Sequence, residues 1–290
     1  MAAILVIGSG VVGKATGLGL ITHGHEVTFV DVRKETVEHL RSANYNAIST
    51  DDMVLQDIDA VFVSVTALTN EDGIDLTHLI MATESLGYKL QHLNSGYPVI
   101  IYRCTMVPGT VRNILAPILR KASGKTVGEN FGIAYNPEYL RAASAQRDFL
   151  HPRVVTLASF EKDDRAHKTL AGIMSEFGAE MHWLPLEAAE YQKYVSNVGN
   201  AIKISTYNWF RALGVRIGLE QQEIDEAFNI CTSSAEGLWN SRYGTKNLGP
   251  YDGACLPKDT RALQKFASSL GVDTSLLEAV EMINREYGGA

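Results

Sequence analysis

A glycine-rich turn placed directly after an apolar strand constrains this fold more than any other feature of the sequence. Gly8-Ser-Gly10-Val-Val-Gly13 follows the apolar run at 4–7 and opens a stretch of helical periodicity. In such a turn the first glycine permits the tight bend, the second lets the backbone approach a pyrophosphate, and the third allows close helix–strand packing. The helix that follows adds N–H donors and the positive end of its dipole. The pattern predicts a dinucleotide site, against the alternative of a glycine-rich turn that binds nothing.

An acidic residue at the end of the second predicted strand supports the dinucleotide site. Asp31 stands where its carboxylate can accept hydrogen bonds from the adenosine ribose hydroxyls. Its charge would repel a 2′-phosphate, which favours NAD over NADP. Arg33 and Lys34 soften that preference, because a nearby base can accommodate the phosphate.

The order of the predicted elements indicates two domains. The first part of the chain alternates β-branched strands with helical stretches, which is typical of βαβ units and a parallel sheet. Strands are predicted at 4–7, 26–30, 60–65, 98–102, 131–134, 154–157 and 180–184, and helices at 11–23, 34–43, 77–93, 110–122 and 162–177. Beyond Pro185 we expect one long, largely buried helix over 187–215, then helices near 220–231, 257–270 and 273–287. The sequence thus predicts an α/β fold, with a Rossmann-type doubly wound parallel sheet over 1–185 and an all-helical domain over 186–290.

Composition and net charge argue against several classes of binding partner. The formal net charge of −7 argues against a nucleic-acid or anionic-membrane surface. No run approaches the roughly 18 consecutive apolar residues of a membrane span. The first residues predict a buried strand and not a signal peptide, and the three scattered cysteines fit a reducing compartment, so we expect a cytoplasmic protein. His23 and His25 are not accompanied by further side chains at a metal-ligand spacing, so no metal site is predicted.

A cysteine near the end of the chain carries the clearest chemistry. Pro257 suits the first turn of a helix, so Cys255 is expected just before a helix N-terminus, with Lys258 nearby. Both effects lower the pKa of a thiol and enrich the nucleophilic thiolate. Asp259 opposes that effect, but a carboxylate there can serve as a general base.

Two polar residues of the long predicted helix share one face. Lys193 and Asn197 are spaced i, i+4, and a cation beside an amide makes a plausible clamp for an oxyanion.

Five segments, taken in order, resemble the UDP-glucose/GDP-mannose dehydrogenase family and together cover nearly the whole chain. They are Gly8–Gly13, Cys104–Thr110, 136–141 with 148–154, Glu187–Asn197, and Gly249–Asp259. The resemblance implies NAD-dependent oxidation of a nucleotide sugar at C6, from alcohol to carboxylate, through a cysteine thiohemiacetal and a thioester. UDP-glucose is the substrate type that we expect.

The resemblance also implies roles for single residues. It assigns Cys255 as nucleophile, Lys193 and Asn197 as stabilisers of the oxyanion, Asp259 and Thr105 to order or activate water, and Glu138 as the acid/base of the acyl steps. The implied cofactor contacts are Gly8, Gly10, Val11, Val12, Gly13, Asp31, Arg33, Val65, Thr66 and Thr105. The implied substrate contacts are Tyr139, Leu140, Arg242, Lys246 and Gly253.

Simpler explanations exist for the main candidates. Cys255 could be a small core residue, Lys193 a solvated helix charge, and Glu138 a turn-former after Asn-Pro. Thr105 could merely end a strand, and Cys231 fits a helix core.

The sequence departs from the family's pattern at several points. Ala142 replaces a second glutamate, and Tyr251-Asp-Gly-Ala replaces the usual glycine pair before the cysteine. The resemblance extends over the N-terminal and central domains of the family, but not over its C-terminal UDP-binding domain. It implies a homodimer through the helix at 187–215. Two alternatives stay open: oxidation of a different primary alcohol without a UDP handle, and a non-catalytic NAD-binding subunit.

Overall fold

The chain divides into two compact units, Met1–Asn197 and Val198–Ala290. The computed structural model describes residues 1–71, 73–245 and 249–289. The strands are β1 (Ala3–Ile7), β2 (Glu26–Asp31), β3 (Ala47–Ser49), β4 (Ala60–Val63), β5 (Leu68–Asn70), β6 (Gly73–Asp75), β7 (Val99–Tyr102), β8 (Gly132–Tyr135), β9 (Val154–Ser159) and β10 (Glu180–Trp183). The helices are α1 (Val11–Thr22), α2 (Lys34–Ser42), α3 (Thr77–Gln91), α4 (Ala116–Ser123), α5 (Ala145–Leu150), α6 (Asp164–Ser175), α7 (Leu186–Arg216), α8 (Gln221–Ser234), α9 (Glu236–Trp239), α10 (Leu256–Ser269) and α11 (Ser275–Glu286).

Eight strands form one sheet in the order β10-β9-β8-β7-β4-β1-β2-β3. The strands from β8 to β3 are parallel to one another, so the predicted doubly wound parallel sheet is confirmed. At one edge, β9 pairs antiparallel with β8, and β10 follows β9 in the same direction. The connection between β8 and β9 contains α5, whose six residues are only about 9 Å long. This helix is too short to return the chain to the opposite edge of the sheet, as a parallel strand would require. The first residues of β9 therefore lie at the edge where the parallel strands end.

Side chains alternate between the two faces of the sheet, and helices cover both faces. On β1, Leu5 belongs to one buried cluster and Ile4 to the other, as the two-residue period of a strand requires. The first cluster is covered by α3, α4 and the start of α7 through Leu86, Leu119 and Leu186. The second is covered by α1, α2, α5 and α6 through Leu20, Leu40, Phe149 and Leu170.

The elements that the sequence pattern did not predict are all short. They are β3, the antiparallel hairpin β5–β6, α5 and the four-residue α9. Segments of three to six residues carry too few turns or alternations for periodicity to identify them.

The second unit consists of the last turns of α7 together with α8–α11. Helix α7 approaches α8 closely at Gly214, where an added Cβ would lie 2.9 Å from Ile224. Trp209 Nε1 donates a 2.6 Å hydrogen bond to the carbonyl of Asp273, which ties α7 to the start of α11. Within the described part of this unit, the buried apolar side chains are Leu213, Ile224, Pro257 and Ala267. Its apolar core is therefore thin.

The long helix predicted over 187–215 is confirmed as α7, but the expectation that it is largely buried is wrong. Leu186 and Ala189 are buried against the sheet. Farther along, Val198, Ile202 and Ile204 leave 49%, 57% and 62% of their surface exposed. Several apolar residues of this helix are therefore not covered by any part of the chain that the structure describes.

We predict that Gly13→Ala destabilises the protein, because the new Cβ would stand 1.8 Å from the backbone oxygen of Gly8. Backbone cannot yield as a flexible side chain can, and overpacking typically costs about 1–3 kcal/mol or more. Gly172→Ala on α6 is the matched control, since its Cβ would meet nothing within 4 Å. The control should gain about 0.5–1 kcal/mol in the free energy of unfolding, as alanine does in helices. Denaturant unfolding measures both, and equal effects would contradict the close α1–β1 packing.

Candidate active site

The glycine-rich turn forms a cradle at the carboxyl edge of the sheet. Gly8 has φ +85°, a conformation that favours glycine, and its N–H donates to the carbonyl of Val30 at 2.9 Å. Gly13 packs directly on Gly8, as the third glycine of the fingerprint should. Over Gly10 the space is open, because an added Cβ would meet only Thr66 Oγ1, at 4.0 Å. Backbone N–H groups at the start of α1 are thus accessible to a phosphate.

The carboxylate of Asp31 holds this turn in place. Oδ2 accepts the N–H of Ser9 at 2.8 Å, and Oδ1 accepts the N–H of Arg33 at 3.0 Å. A carboxylate has about four lone-pair sites, so acceptor capacity remains for ribose hydroxyls. The Arg33 guanidinium lies 3.5 Å from Oδ1 and is mostly exposed.

The residues of the cradle fit a dinucleotide. The hydroxyls of Ser9 and Ser64, after β1 and β4, are buried without a hydrogen-bond partner. Buried polar groups are normally paired, so such hydroxyls next to an open glycine turn suit a polar ligand. The other candidate cofactor residues are placed as follows: Val11 and Thr66 are exposed, and Val12, Val65 and Thr105 are half-buried.

The same edge of the sheet carries a buried ion pair. Lys193 Nζ lies 3.0 Å from Glu138 Oε1 and also donates to the backbone carbonyl of Glu138. The lysine side chain is 3% exposed and the glutamate 14%. Lys193 is therefore not the solvated helix charge that its position would otherwise suggest. Burial strengthens the electrostatic attraction, because the local dielectric is low.

Glu138 has a second contact that shapes the loop after β8. Its Oε2 accepts the N–H of Leu140 at 2.7 Å, so the side chain does form a turn as well as the ion pair. The Lys193 ammonium lies 5.4 Å from the centre of the Tyr139 ring, within reach of a cation–π interaction. The structure thus brings together four of the sequence candidates: Glu138, Tyr139, Leu140 and Lys193.

A hydrogen-bond network behind this pair was not found by sequence reasoning. Arg103 donates to Asn136 Oδ1, and Asn136 Nδ2 donates to the carbonyl of Thr156 at 2.8 Å. The Tyr139 hydroxyl lies 2.8 Å from Thr156 Oγ1 and close to Gln192 Oε1. Burial lowers the pKa of Arg103 to about 10, and its guanidinium stacks on Phe149 at 4.8 Å. The one sequence feature that could have indicated this network is a charged residue, Arg103, directly after the apolar strand β7.

Cys104, next to Arg103, is buried. Burial raises the pKa of its thiol to about 12, so this cysteine stays protonated and inert. That agrees with a structural role.

The segment around Cys255 lies in the second unit. Cys255 is exposed and immediately precedes α10, in whose first turn Pro257 stands. Its carbonyl accepts the N–H of Asp259 at 2.8 Å, as at a helix start. Lys258 Nζ lies 2.5 Å from Asp259 Oδ1, so this cation pairs with the carboxylate. The position of the thiol just before a helix N-terminus, predicted from the sequence, is confirmed.

The loop before this cysteine is fixed from α11. Asn284, which is 5% exposed, donates through Nδ2 to the carbonyl of Tyr251 at 3.1 Å. Gly253, with φ +90°, takes a backbone conformation that side chains rarely adopt. A glycine there is required by the turn itself.

The remaining candidates are more scattered. Asn197 is exposed on α7, and Arg242 is exposed in a turn where its N–H donates to Asn240 Oδ1 at 3.0 Å. Lys246 lies outside the described residues. The expectation that Cys231 belongs to a helix core is wrong, because it is exposed on α8. Its helix buries a different residue, Ile224.

Two other kinds of feature are absent from the described residues. In those parts of the chain no helix has the length and apolar character to cross a membrane. Within the same residues, no group of three or more His, Cys, Asp and Glu side chains could hold a metal ion.

Models of one protein family match both parts of the chain. The UDP-glucose/GDP-mannose dehydrogenase family, NAD binding domain, matches residues 40–176, and the central domain of that family matches residues 187–286. The GDP-mannose 6-dehydrogenase of Pseudomonas putida is 29% identical over 97% of this chain and 67% of the relative. The chain thus spans about two thirds of that relative's length.

Two solved structures resemble the whole fold. A ternary complex of GDP-mannose dehydrogenase from Pseudomonas aeruginosa has a TM-score of 0.90 at 27% identity, over 99% of this chain and 69% of that one. A UDP-glucose dehydrogenase from Pyrobaculum islandicum has a TM-score of 0.73 at 27% identity, over 99% and 68%. The prediction of an NAD-dependent dehydrogenase with a Rossmann-type domain is confirmed by these matches. The chain belongs to the UDP-glucose/GDP-mannose dehydrogenase family, of which it carries the NAD-binding and central domains.

Proposed function

We propose that this protein oxidises the C6 alcohol of a nucleotide sugar to the carboxylate, with Cys255 as the covalent nucleophile. The observation that carries the proposal is the buried pair of Lys193 and Glu138 at the sheet edge where the dinucleotide cradle opens. A binding protein has no need of a desolvated cation and carboxylate side by side, since such pairs are costly to bury. An enzyme that stabilises a developing negative charge does need them.

Each group of the pair has a distinct part in the proposed chemistry. The Lys193 ammonium donates to the oxygen that becomes negative when the aldehyde is attacked, and Asn197 assists it from the same helix. Glu138 accepts and returns the proton of the acyl steps, because its carboxylate already shares a hydrogen bond with that ammonium. Thr105 and Asp259 order the water that ends the reaction.

The proposed reaction passes through a covalent adduct on Cys255. NAD, when bound, accepts a hydride in each of the two oxidations. The Cys255 sulfur adds to the aldehyde carbon, so a C–S bond forms and the carbonyl oxygen gains the electron pair. Loss of the second hydride leaves a thioester, and water then breaks the C–S bond and releases the carboxylate and the thiol. One alcohol, one water and two NAD⁺ give one carboxylate, two NADH and three protons.

We propose GDP-mannose as the first nucleotide sugar to test, in place of the UDP-glucose type expected from the sequence. The support is the higher structural similarity to the GDP-mannose enzyme, with a TM-score of 0.90 against 0.73 at equal identity. Tyr139 and Leu140 offer backbone contacts to the sugar, and Arg242 and Gly253 are the candidates in the loop before the cysteine.

The test is NADH production from GDP-mannose, UDP-glucose and UDP-N-acetylmannosamine, together with mass analysis of the product. We expect two NADH per sugar from one of the three. Cys255→Ala should abolish acid formation, because the aldehyde can no longer form a thioester.

Cys231→Ala is the matched control, since Cys231 is also an exposed thiol of the second unit. This variant should retain the wild-type rate. Acid formation by Cys255→Ala would refute the covalent route, and silence with every sugar despite tight NAD binding would favour the two alternatives left open by the sequence.

We predict that Lys193→Met lowers kcat by about 10²–10³-fold, the usual cost of losing one oxyanion donor. Methionine keeps the length and the apolar stem but leaves the Glu138 carboxylate without its cation. Lys203→Met, on an exposed position of the same helix, should change kcat little. Steady-state kinetics and thermal unfolding are measured together, so that a stability loss is recognised.

A double variant distinguishes a loss of catalysis from a loss of folding. Lys193→Met with Glu138→Gln removes both charges and so avoids an unpaired buried carboxylate, whose desolvation is the main destabilising effect. A folded double variant that keeps more than a third of the wild-type kcat would contradict the assignment of the pair to catalysis.

We propose that the exposed apolar stripe on α7 forms a homodimer. Val195, Val198 and Ile202 are spaced i, i+3, i+7, so they share one helical face, and each is about half exposed. The second unit buries few apolar side chains of its own, so its stability gains from further burial against a second copy.

We expect Val198→Glu with Ile202→Glu to convert the protein from dimer to monomer, because two charges would enter the apolar face. Light scattering coupled to size-exclusion chromatography measures the mass. Val54→Glu, at a residue 64% exposed elsewhere, is the control and should leave the dimer intact. A monomeric wild-type protein would refute the proposal.

A further inference from the structure

One buried carboxylate of α7 has no part in the chemistry proposed above. Glu190 is 0% exposed, which is rare for a glutamate without a specific partner. Its Oε2 accepts the N–H of Gly109, and its Oε1 accepts the N–H of Val111 at 2.9 Å. Burial raises the pKa of Glu190, while the two N–H donors oppose that effect. Both carboxylate oxygens are thus committed to the backbone of one loop.

That loop has a defined shape of its own. Thr110 donates its N–H to the carbonyl of Val107 at 3.0 Å, and Gly109 has φ +91°. Proline followed by a glycine of positive φ is the signature of a type II turn. A single π-helical turn, Val111–Leu115, begins directly after it and leads into α4. The N–H groups at such a helix start have no partner within the helix, and Glu190 supplies the acceptors.

The loop that Glu190 holds also contains Thr105. It connects β7 to α4, and Thr105 lies five residues before the end of the turn. On α7, Glu190 precedes Lys193 by three residues, so the two side chains share one helical face. One face of α7 therefore binds two neighbouring loops of the sheet edge: Glu190 the loop after β7, and Lys193 the loop after β8.

The geometry points to Glu190 as a positioning residue that sets the loop of Thr105 in register with Lys193. The inference rests on the proposed function, in which both of those side chains act on the reacting group. A glutamate is required because two backbone N–H groups converge on it, one at each carboxylate oxygen. A glutamine in its place would offer only one acceptor oxygen, and its NH₂ group would face the second backbone N–H. Errors of about 1 Å in such a register can cost 10²-fold in rate.

Glu190→Gln is the test variant, and Glu187→Gln is its matched control. Glu187 lies one turn earlier on α7 and pairs with the Arg112 side chain, both groups being substantially exposed. We expect Glu190→Gln to lower kcat by about 10–100-fold with KM changed less than about threefold, since the groups are misplaced and not removed. The control should stay within about threefold of wild type, as exposed pairs contribute little.

A double-variant cycle separates positioning from a general loss of structure. In a Thr105→Ala background, Glu190→Gln should lower kcat by less than about threefold, because the group that it positions is already absent. The same 10–100-fold loss in both backgrounds would overturn the inference.

Amide hydrogen exchange supplies a readout that needs no substrate. In the wild-type protein the N–H groups of Gly109 and Val111 should be protected by at least about 10²-fold, and Glu190→Gln should remove that protection. Unprotected wild-type amides would overturn the inference whether or not the variant folds. If the wild type oxidises no nucleotide sugar, the proposed function fails, whereas this measurement still decides whether Glu190 holds the loop.

Discussion

The ammonium of Lys193 is the group on which the geometry of the candidate site after β8 depends. Moving a cation into the protein interior costs several kcal/mol, and only well-placed partners offset that cost. Here the carbonyl and carboxylate of Glu138 both accept from it, and the Tyr139 ring lies 5.4 Å away. The loop after β8 and the first turns of α7 must therefore be in place together. Neither element can shift without leaving a buried charge unpaired.

The reversal of the sheet at β9 is what makes this arrangement possible. Because β9 runs against β8, its first residues lie at the same edge as the loop after β8. Thr156 can then accept from Asn136 through its carbonyl and lie 2.8 Å from the Tyr139 hydroxyl. A further parallel strand would have placed its first residues at the opposite edge. A buried hydrogen-bond network of this kind holds together the segments that it connects.

The sequence was most informative where a function has a local signature. The glycine turn before α1, the position of Asp31 at the end of β2 and the start of α10 beside Cys255 each follow from a local pattern, and the structure has each element there. The contacts of Glu190 and Gln192 could not be predicted. They join residues 81 and 53 positions apart, and no periodicity records such a pairing. The burial of α7 was misjudged for a related reason, since an apolar face indicates that something covers it but not which molecule does.

The residues proposed for the reaction come from two units that differ in how many apolar side chains they bury. The dinucleotide cradle rests on a sheet whose strands are buried on both faces, so its glycine turn and Asp31 are fixed by the fold itself. Cys255 belongs to a unit in which only four apolar side chains are buried among the described residues. Hydrophobic burial is the main force that orders a segment against its conformational entropy. On the proposed mechanism, the covalent step therefore relies on a segment with few buried apolar side chains around it, whereas dinucleotide binding relies on the well-packed sheet.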